Sequence, residues 1–215
     1  MKIMVVAATE WELSCMRDVN VIEPNTLTTA VHGIGQVAAT FQLTQLIEKQ
    51  QPDIVVQLGI AGGFSKELHL SAAVAVETEY LADMGVAEKE TFHSIFDMQL
   101  ADENAFPFHQ KKLSNPHKYL LEKSGLKKVT GISVNQITTS EKQINYYKAA
   151  YHPSVESMEG AAFHYCCLMK NIPFLQIRAI SNLIGERDKS KWKMDESLQT
   201  LHNTMIEILK NITTK

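Results

Sequence analysis

Two carboxylates and one amide stand at positions from which they could act on a sugar and a heterocycle. Glu12 follows directly on the apolar run Ile3 to Ala7, and Glu159 sits near the start of a helical segment, VESMEGAAFHYCC. A helix amino terminus favours an ionised carboxylate, and such a group can hold ribose hydroxyls or balance positive charge developing on a sugar. Asn182 closes the apolar run in IRAISN and carries both an amide donor and an acceptor. Each carboxylate reads equally well as a surface or capping residue, because residues this far apart in sequence meet only if the fold brings them together. Arg178 and Arg187 either bind carboxylates or organise a loop, and Trp192 either stacks on a ring or packs as a core or hinge aromatic. Asp188, Lys189 and Lys191 fit a solvated face.

Two glycine segments could approach a ligand closely. GIGQ, Gly33 to Gln36, precedes a helical pattern, where free backbone N–H groups can receive negative charge or a ligand oxygen. It lacks the full G-x-G-x-x-G and Walker patterns, and a structural turn explains it as well. GIAGG, Gly59 to Gly63, ends the run IVVQLGIAGG, and α/β sheets bind ligands beyond the carboxyl ends of their strands.

The elements that must position these groups follow from hydrophobic patterning. The run Ile3 to Ala7 is apolar throughout, as expected of a strand covered on both faces, and IVVQLGIAGG from Ile54 is a second strand. Between them Ala39, Leu43, Leu46 and Ile47 share one helical face, giving a strand-helix-strand unit. Ala72 to Val76, Val129 to Val134 and Phe174 to Ile180 are further strands. Met158, Ala162, Tyr165 and Met169 predict one side of a helix, and Leu198, Leu201, Met205, Ile208 and Ile212 the packed stripe of a terminal helix. Asp83 to His117 is less regular and reads as a long excursion, covering a pocket, meeting a partner subunit or simply packing as a loop. The mixture predicts a three-layer α/β sandwich.

The 215 residues suit one domain, 1–215, and a net charge of -3 gives no reason to expect a nucleic-acid surface. The N-terminal apolar run is too short for a membrane span, and Glu10 and Glu12 interrupt any signal-peptide core, which predicts a cytoplasmic protein. Cys15, Cys166 and Cys167 are expected to be reduced thiols, since an adjacent pair does not supply the separated ligands of a usual zinc knuckle.

In order, AATEWE, GIG, GIAGG, VESMEGAA and IRAISN resemble the signature of the purine nucleoside phosphorylase and nucleosidase superfamily over almost the whole chain. RAISN followed by GERDKSKW is more similar to the futalosine hydrolases than to the methylthioadenosine/S-adenosylhomocysteine nucleosidases. The resemblance implies a nucleoside phosphorylase-like fold with a central mixed β-sheet. It also implies hydrolysis of the N-glycosidic bond of futalosine, releasing hypoxanthine and dehypoxanthine futalosine in menaquinone biosynthesis. Glu12 would then act on the attacking water, Met158 and Glu159 would contact ribose, and Asn182 would face the purine. Thr9 and the turn containing Gly59, Ala61 and Gly62 would line the sugar end. The NQITTS loop, with Asn135, Ile137 and Thr139, would border the base, without the aromatic that related nucleosidases often carry there.

Adenine-specific relatives normally carry Asp where this chain has Asn182. Hypoxanthine presents N7 and O6 as neighbouring acceptors, toward which an amide can donate, and one unsatisfied partner discriminates by about 1–3 kcal/mol. For the substrate's carboxylated aromatic tail, Phe106, Phe108 or Trp192 would pack on the ring and Arg187, Lys189 or Lys191 would receive the carboxylate. The chemistry requires no cofactor and no metal; the partners implied are a modified purine nucleoside, water and a second copy of the chain, with the middle excursion covering the neighbour's site. Neither nucleic acid nor membrane is an expected partner. A nucleoside phosphorylase, a methylthioadenosine nucleosidase and a non-catalytic purine-binding module are the alternatives, the first weakened by the lack of an arginine near GIG in the sequence.

Overall fold

The computed structural model describes residues 1–21, 23–88 and 91–214. Its first strand, β1 (Lys2–Ala7), is followed by the short helix α1 (Glu10–Leu13), β2 (Thr26–Val31), α2 (Gln36–Gln50) and β3 (Ile54–Gly63). β1 pairs in parallel with both β2 and β3, so the expected strand-helix-strand unit is present. The chain continues through β4 (Ala73–Leu81), the hairpin β5 (Gly85–Glu88) and β6 (Thr91–Ser94), β7 (Leu113–Ser114), α3 (Lys118–Lys123) and β8 (Lys127–Ser133). It ends with α4 (Glu141–Tyr151), β9 (Val155–Ser157), α5 (Gly160–Met169), β10 (Phe174–Leu183) and α6 (Met194–Thr213).

The sheet is mixed. β3–β10, β4–β8 and β8–β9 are parallel pairs, while β10–β4 and β3–β9 are antiparallel. Because β9 pairs with β3 as well as β8, the run β3-β10-β4-β8-β9 curls back onto β3. This closure brings the carboxyl ends of β1, β3 and β10 to the same rim as β9. Side-chain alternation along β1 builds the two helix-covered faces: Ile3, Val5 and Ala7 enter the core under α6, and Met4 and Val6 the core under α2 and α5. A three-layer arrangement results, with the apolar stripe Leu201, Met205, Ile208 and Ile212 of α6 buried as its spacing predicts.

One helical expectation is corrected. Met158 precedes α5, Tyr165 is half-buried and Met169 is exposed, so these residues are not a packed stripe. α5 packs against α2 and the sheet and buries nearly every side, including Ala161, Phe163, His164, Cys166 and Cys167; a helix apolar all round has no diagnostic stripe. All three cysteines are buried and free. The middle excursion contains the hairpin β5–β6 and an aromatic cluster in which Phe108 lies 5.2 Å from Phe96 and 6.0 Å from Tyr165. Among the described residues, no helix is long and apolar enough to cross a membrane.

Candidate active site

Beyond the carboxyl ends of β1, β3 and β10 lies a cleft of about 320 Å³. Strand ends make such a site because side chains and free backbone groups leave the sheet there without breaking its ladder. Thr9, Glu12, Ala61, Gly62, Met158, Glu159 and Asn182 all reach its wall, so residues scattered over the whole sequence meet in one place.

Glu12 owes its position to a helix cap. Thr9 is the N-cap of α1, its hydroxyl accepting from the Glu12 N–H at 3.2 Å, in the T-x-x-E spacing of a capping box. The Glu12 carboxylate does not fold back onto the cap's N–H in the usual way. Its Oε2 accepts from Thr9 Oγ1 at 3.1 Å, and its Oε1 accepts from the Ile60 N–H at 3.2 Å. The N-cap residue therefore also holds the site carboxylate.

Glu159 is the N-cap of α5 and only 6% exposed. Its Oε1 accepts from the Gly35 N–H at 2.9 Å. The GIG turn does present a donor to negative charge, and that charge is the chain's own carboxylate. Gly33 and Gly35 both have φ of +83°, a conformation glycine adopts without steric cost. Burial holds the Glu159 carboxyl above its ordinary range and nearby Glu12 adds to this, while Arg178 and the Gly35 N–H oppose it.

Arg178 supplies the positive charge beneath the carboxylates. It is 1% exposed on β10, and its Nη2 donates to Gln57 Oε1 at 2.9 Å. Gln57 Nε2 lies 3.0 Å from His32 Nε2, and His32 Nδ1 lies 2.9 Å from the Gly33 carbonyl. A carbonyl only accepts, so Nδ1 carries the proton and Nε2 accepts from Gln57. Burial lowers the His32 pKa to about 4, leaving the ring neutral and the chain of donors consistent. Gly59 completes the floor: a methyl group there would lie 2.1 Å from Arg178 Nη1 and 2.8 Å from Glu12 Oε1. The guanidinium and carboxylate occupy the space that glycine leaves.

The amide end is equally constrained. Asn182 Oδ1 accepts from Ser181 Oγ at 2.8 Å, and its Nδ2 donates to the Leu183 carbonyl at 3.0 Å. Since the Leu183 carbonyl cannot donate, nitrogen must face it; one N–H and one lone pair of the amide remain for a ligand.

The model of the phosphorylase superfamily matches residues 22–213. The chain belongs to this superfamily. Futalosine hydrolase of Thermus thermophilus is 28% identical over 180 residues, 82% of this chain and 78% of that protein. The 5'-methylthioadenosine/S-adenosylhomocysteine nucleosidase of Haemophilus influenzae is 32% identical over 170 residues, 77% of this chain and 71% of that protein. The crystal structure of a Helicobacter pylori 5'-methylthioadenosine/S-adenosylhomocysteine nucleosidase aligns with a TM-score of 0.83 at 16% identity, covering 98% of each chain, and so shares the fold. As a superfamily member the protein stands with catalytic nucleosidases and hydrolases, enzymes of N-glycosidic bond cleavage.

Several sequence-predicted contacts of this superfamily member are corrected by the geometry. Gly59 lies under the site instead of on its wall, for the reason given above. In the NQITTS loop only Ile137 reaches the cleft; Asn135 is exposed and bonded to Asp83, and Thr139 is exposed away from the wall. Phe106 is 72% exposed and does not line its own chain's cleft, and Phe108 is committed to Phe96 and Tyr165. Trp192 does reach the wall, with its Nε1 donating to the Glu186 carbonyl at 3.2 Å. Arg187 stays exposed outside the cleft, 5.7 Å from the Trp192 ring centre. Lys191 pairs with Glu186 at 2.8 Å, and Lys189 is exposed.

Sequence reasoning missed Trp11, Ile34, Ile184 and Met194 on the wall. No periodicity signals them, because they come from turns and helix ends. Arg178 reads in the sequence only as a carboxylate binder or loop organiser, and its burial on β10 and its link through Gln57 to His32 emerge from the structure.

Proposed function

We propose that this protein hydrolyses the N-glycosidic bond of a 5′-modified purine nucleoside, futalosine, and releases hypoxanthine. The observation that supports this reading is the amide at the base end. Asn182 has an N–H to offer but no acidic proton, so the base it helps to leave must depart with hydrogen bonding alone. A 6-oxopurine spreads the developing negative charge onto O6, and N7 and O6 both accept. Adenine lacks that oxygen and leaves more readily with a proton supplied to N7.

The two carboxylates divide the remaining work. As the C1′–N9 bond stretches, ribose gains positive character; Glu159 accepts from the ribose hydroxyls and favours the electron-poor ring. Glu12 accepts a proton from water as its oxygen bonds to C1′, and the N9 electron pair leaves with the purine. Thr9 and the Ile60 N–H hold the Glu12 carboxylate in place. Arg178 lies beneath both carboxylates, yet it does not turn the site toward phosphorolysis. It is buried and bonded to Gln57, and a phosphate anion entering there would face Glu12 and Glu159 directly.

The apolar side chains of Trp11, Ile34, Trp192 and Met194 make the wall suited to the 5′ substituent, with Arg187 on the rim as its carboxylate partner. Val37 and Phe41 on α2 and Met84 expose an apolar face that a second copy of the chain would cover, and the exposed Phe106 would then be free to reach the neighbour's cleft. The pathway served would be menaquinone formation.

A second reading, cleavage of methylthioadenosine or S-adenosylhomocysteine, is favoured by the 32% identity to a nucleosidase of that name and by the same apolar wall, which suits a thioether. Product analysis separates the readings. Futalosine, aminodeoxyfutalosine, inosine and methylthioadenosine are offered in phosphate-free buffer, and hypoxanthine with free sugar is the expected outcome. Preference for methylthioadenosine would transfer the assignment to the second reading; strict phosphate dependence with a sugar 1-phosphate would remove both.

A further inference from the structure

Beneath α5 lies a carboxylate that the proposed reaction does not use. Glu79, on β4, is fully buried; its Oε1 accepts from Gln176 Nε2 at 2.8 Å and its Oε2 from Ser133 Oγ at 3.1 Å. Ser133 Oγ in turn accepts from the Ala161 N–H at 2.7 Å, one of the free donors in the first turn of α5. The chain has removed side chains on both flanks to make room. A methyl group on Gly160 would lie 2.0 Å from Glu79 Oε1, and one on Gly131 would lie 2.6 Å from the same atom. Gly160 directly follows Glu159, so the carboxylate sits against the helix end that carries the ribose-side acid.

We infer that Glu79 is a positioning residue: through the Ser133 hydroxyl it holds the first turn of α5, and so fixes the placement of Met158 and Glu159 in the cleft. The hydroxyl can accept from Ala161 only with its own proton directed elsewhere, and Glu79 Oε2 is where it goes. Both oxygens of the carboxyl accept from donors, an arrangement made for the ionised form. Protonation puts a third donor among two and weakens the oxygen that carries the proton as an acceptor.

Burial raises the Glu79 pKa to about 7, against the lowering effects of Gln176, Arg178 and Ser133. The charged and titratable groups that face it are Arg178 from β10 and Glu159 at the start of α5, of which the second opposes its ionisation. His164 on α5 is held neutral, its pKa lowered to about 4 by burial, and β8 contributes only Ser133 and Gly131 at the contact. The first turn of α5 is therefore better held above pH 7 than below it.

This inference rests on the nucleosidase reading for the meaning of Glu159, so its test has one arm with substrate and one without. With the cleaved nucleoside, KM of the wild type is expected to rise about tenfold as pH falls from 8 to 6, the scale of one charge-assisted hydrogen bond, with kcat changing less. E79Q, which cannot accept at both ends, should show the raised KM at both pH values. S133A, which breaks the link and leaves the carboxylate in place, should do the same. A wild-type KM profile in either variant overturns the inference. Without substrate, amide hydrogen exchange of the 157–163 segment, corrected for intrinsic pH dependence, should be slower at pH 8 than at pH 6 in the wild type and equal at both in S133A. Equal protection in the wild type also overturns it. A wild type that cleaves no nucleoside counts against the functional reading alone, and the exchange arm still decides the role of Glu79.

Discussion

Gly35 donates its backbone N–H to Glu159 at 2.9 Å, joining the turn before α2 to the N-cap of α5 across most of the chain length. The bond uses a donor that would otherwise be free for an anion, and it fixes the carboxylate at the cleft. An anionic co-substrate has thereby lost its most obvious seat. Hydrolysis, in which the second reactant is neutral water, follows naturally from that arrangement.

Glu12→Gln tests the general base. The amide keeps an acceptor for the Ile60 N–H but cannot take a proton, so kcat should fall by about 10²–10⁴-fold with ligand affinity retained. Steady-state kinetics and calorimetric binding of the substrate to the variant check this together. Equal turnover would remove Glu12 from the mechanism.

Gly59→Ala tests the floor. Its methyl group would meet Arg178 Nη1 at 2.1 Å and Glu12 Oε1 at 2.8 Å, so the buried guanidinium must shift and Glu12 is pushed toward the cleft. Overpacking of this kind costs about 1–3 kcal/mol, and displacement of Glu12 should lower kcat alongside it. Urea denaturation and turnover of the same preparation provide the two measurements; an unchanged kcat would show that Gly59 is only a backbone requirement.

Asn182→Asp tests base recognition. An acidic side chain can give a proton to N7, so the ratio of kcat/KM for methylthioadenosine to that for futalosine should rise, by an amount corresponding to about 1–3 kcal/mol. Competition between the two substrates measures the ratio directly. In contrast, Arg187→Glu places a charge at an exposed rim position; a loss confined to futalosine, with inosine turnover unaffected, is expected if the rim receives the tail carboxylate.

The pH dependence of stability carries the mark of Glu79. Its folded pKa, about 7, lies above the ordinary 4.5, so between these values the unfolded chain releases a proton that the folded chain keeps. The carboxyl therefore lowers stability as pH rises through that window, by about 3 kcal/mol at most, and adds no further change above it. E79Q lacks this loss. The difference in unfolding free energy between variant and wild type should thus move in favour of the variant from pH 4.5 to 7 and then level off. Urea titrations across the window measure it, and a pH-independent difference would show that Glu79 does not titrate there.

Much of this protein was legible before its tertiary structure. The run at Ile3 had to be a covered strand because it is hydrophobic on both faces of its alternation, the runs at Ile54 and Phe174 are largely apolar, and the α6 stripe could only pack in the core. The helix cap at Thr9 that places Glu12 is seen only in the structure. α5 was less readable, since a helix buried all round has no stripe to find. Rim residues such as Arg187 and Asn135 were legible only as chemical types. Type does not tell whether a side chain points into a cleft or pairs with a neighbour such as Asp83.

By itself, then, the sequence determined the covered sheet and the α6 stripe, because those follow from local pattern, while Glu12, Glu159 and Asn182 stand out by their chemical type together with the family resemblance. Only the tertiary structure decided that Gly35 binds Glu159, that Arg178 lies above Gly59 against Glu12, and that Glu79 sits under Gly160. Those are contacts between strands and turns distant along the chain, set by the curling of the sheet, and no local spacing encodes them.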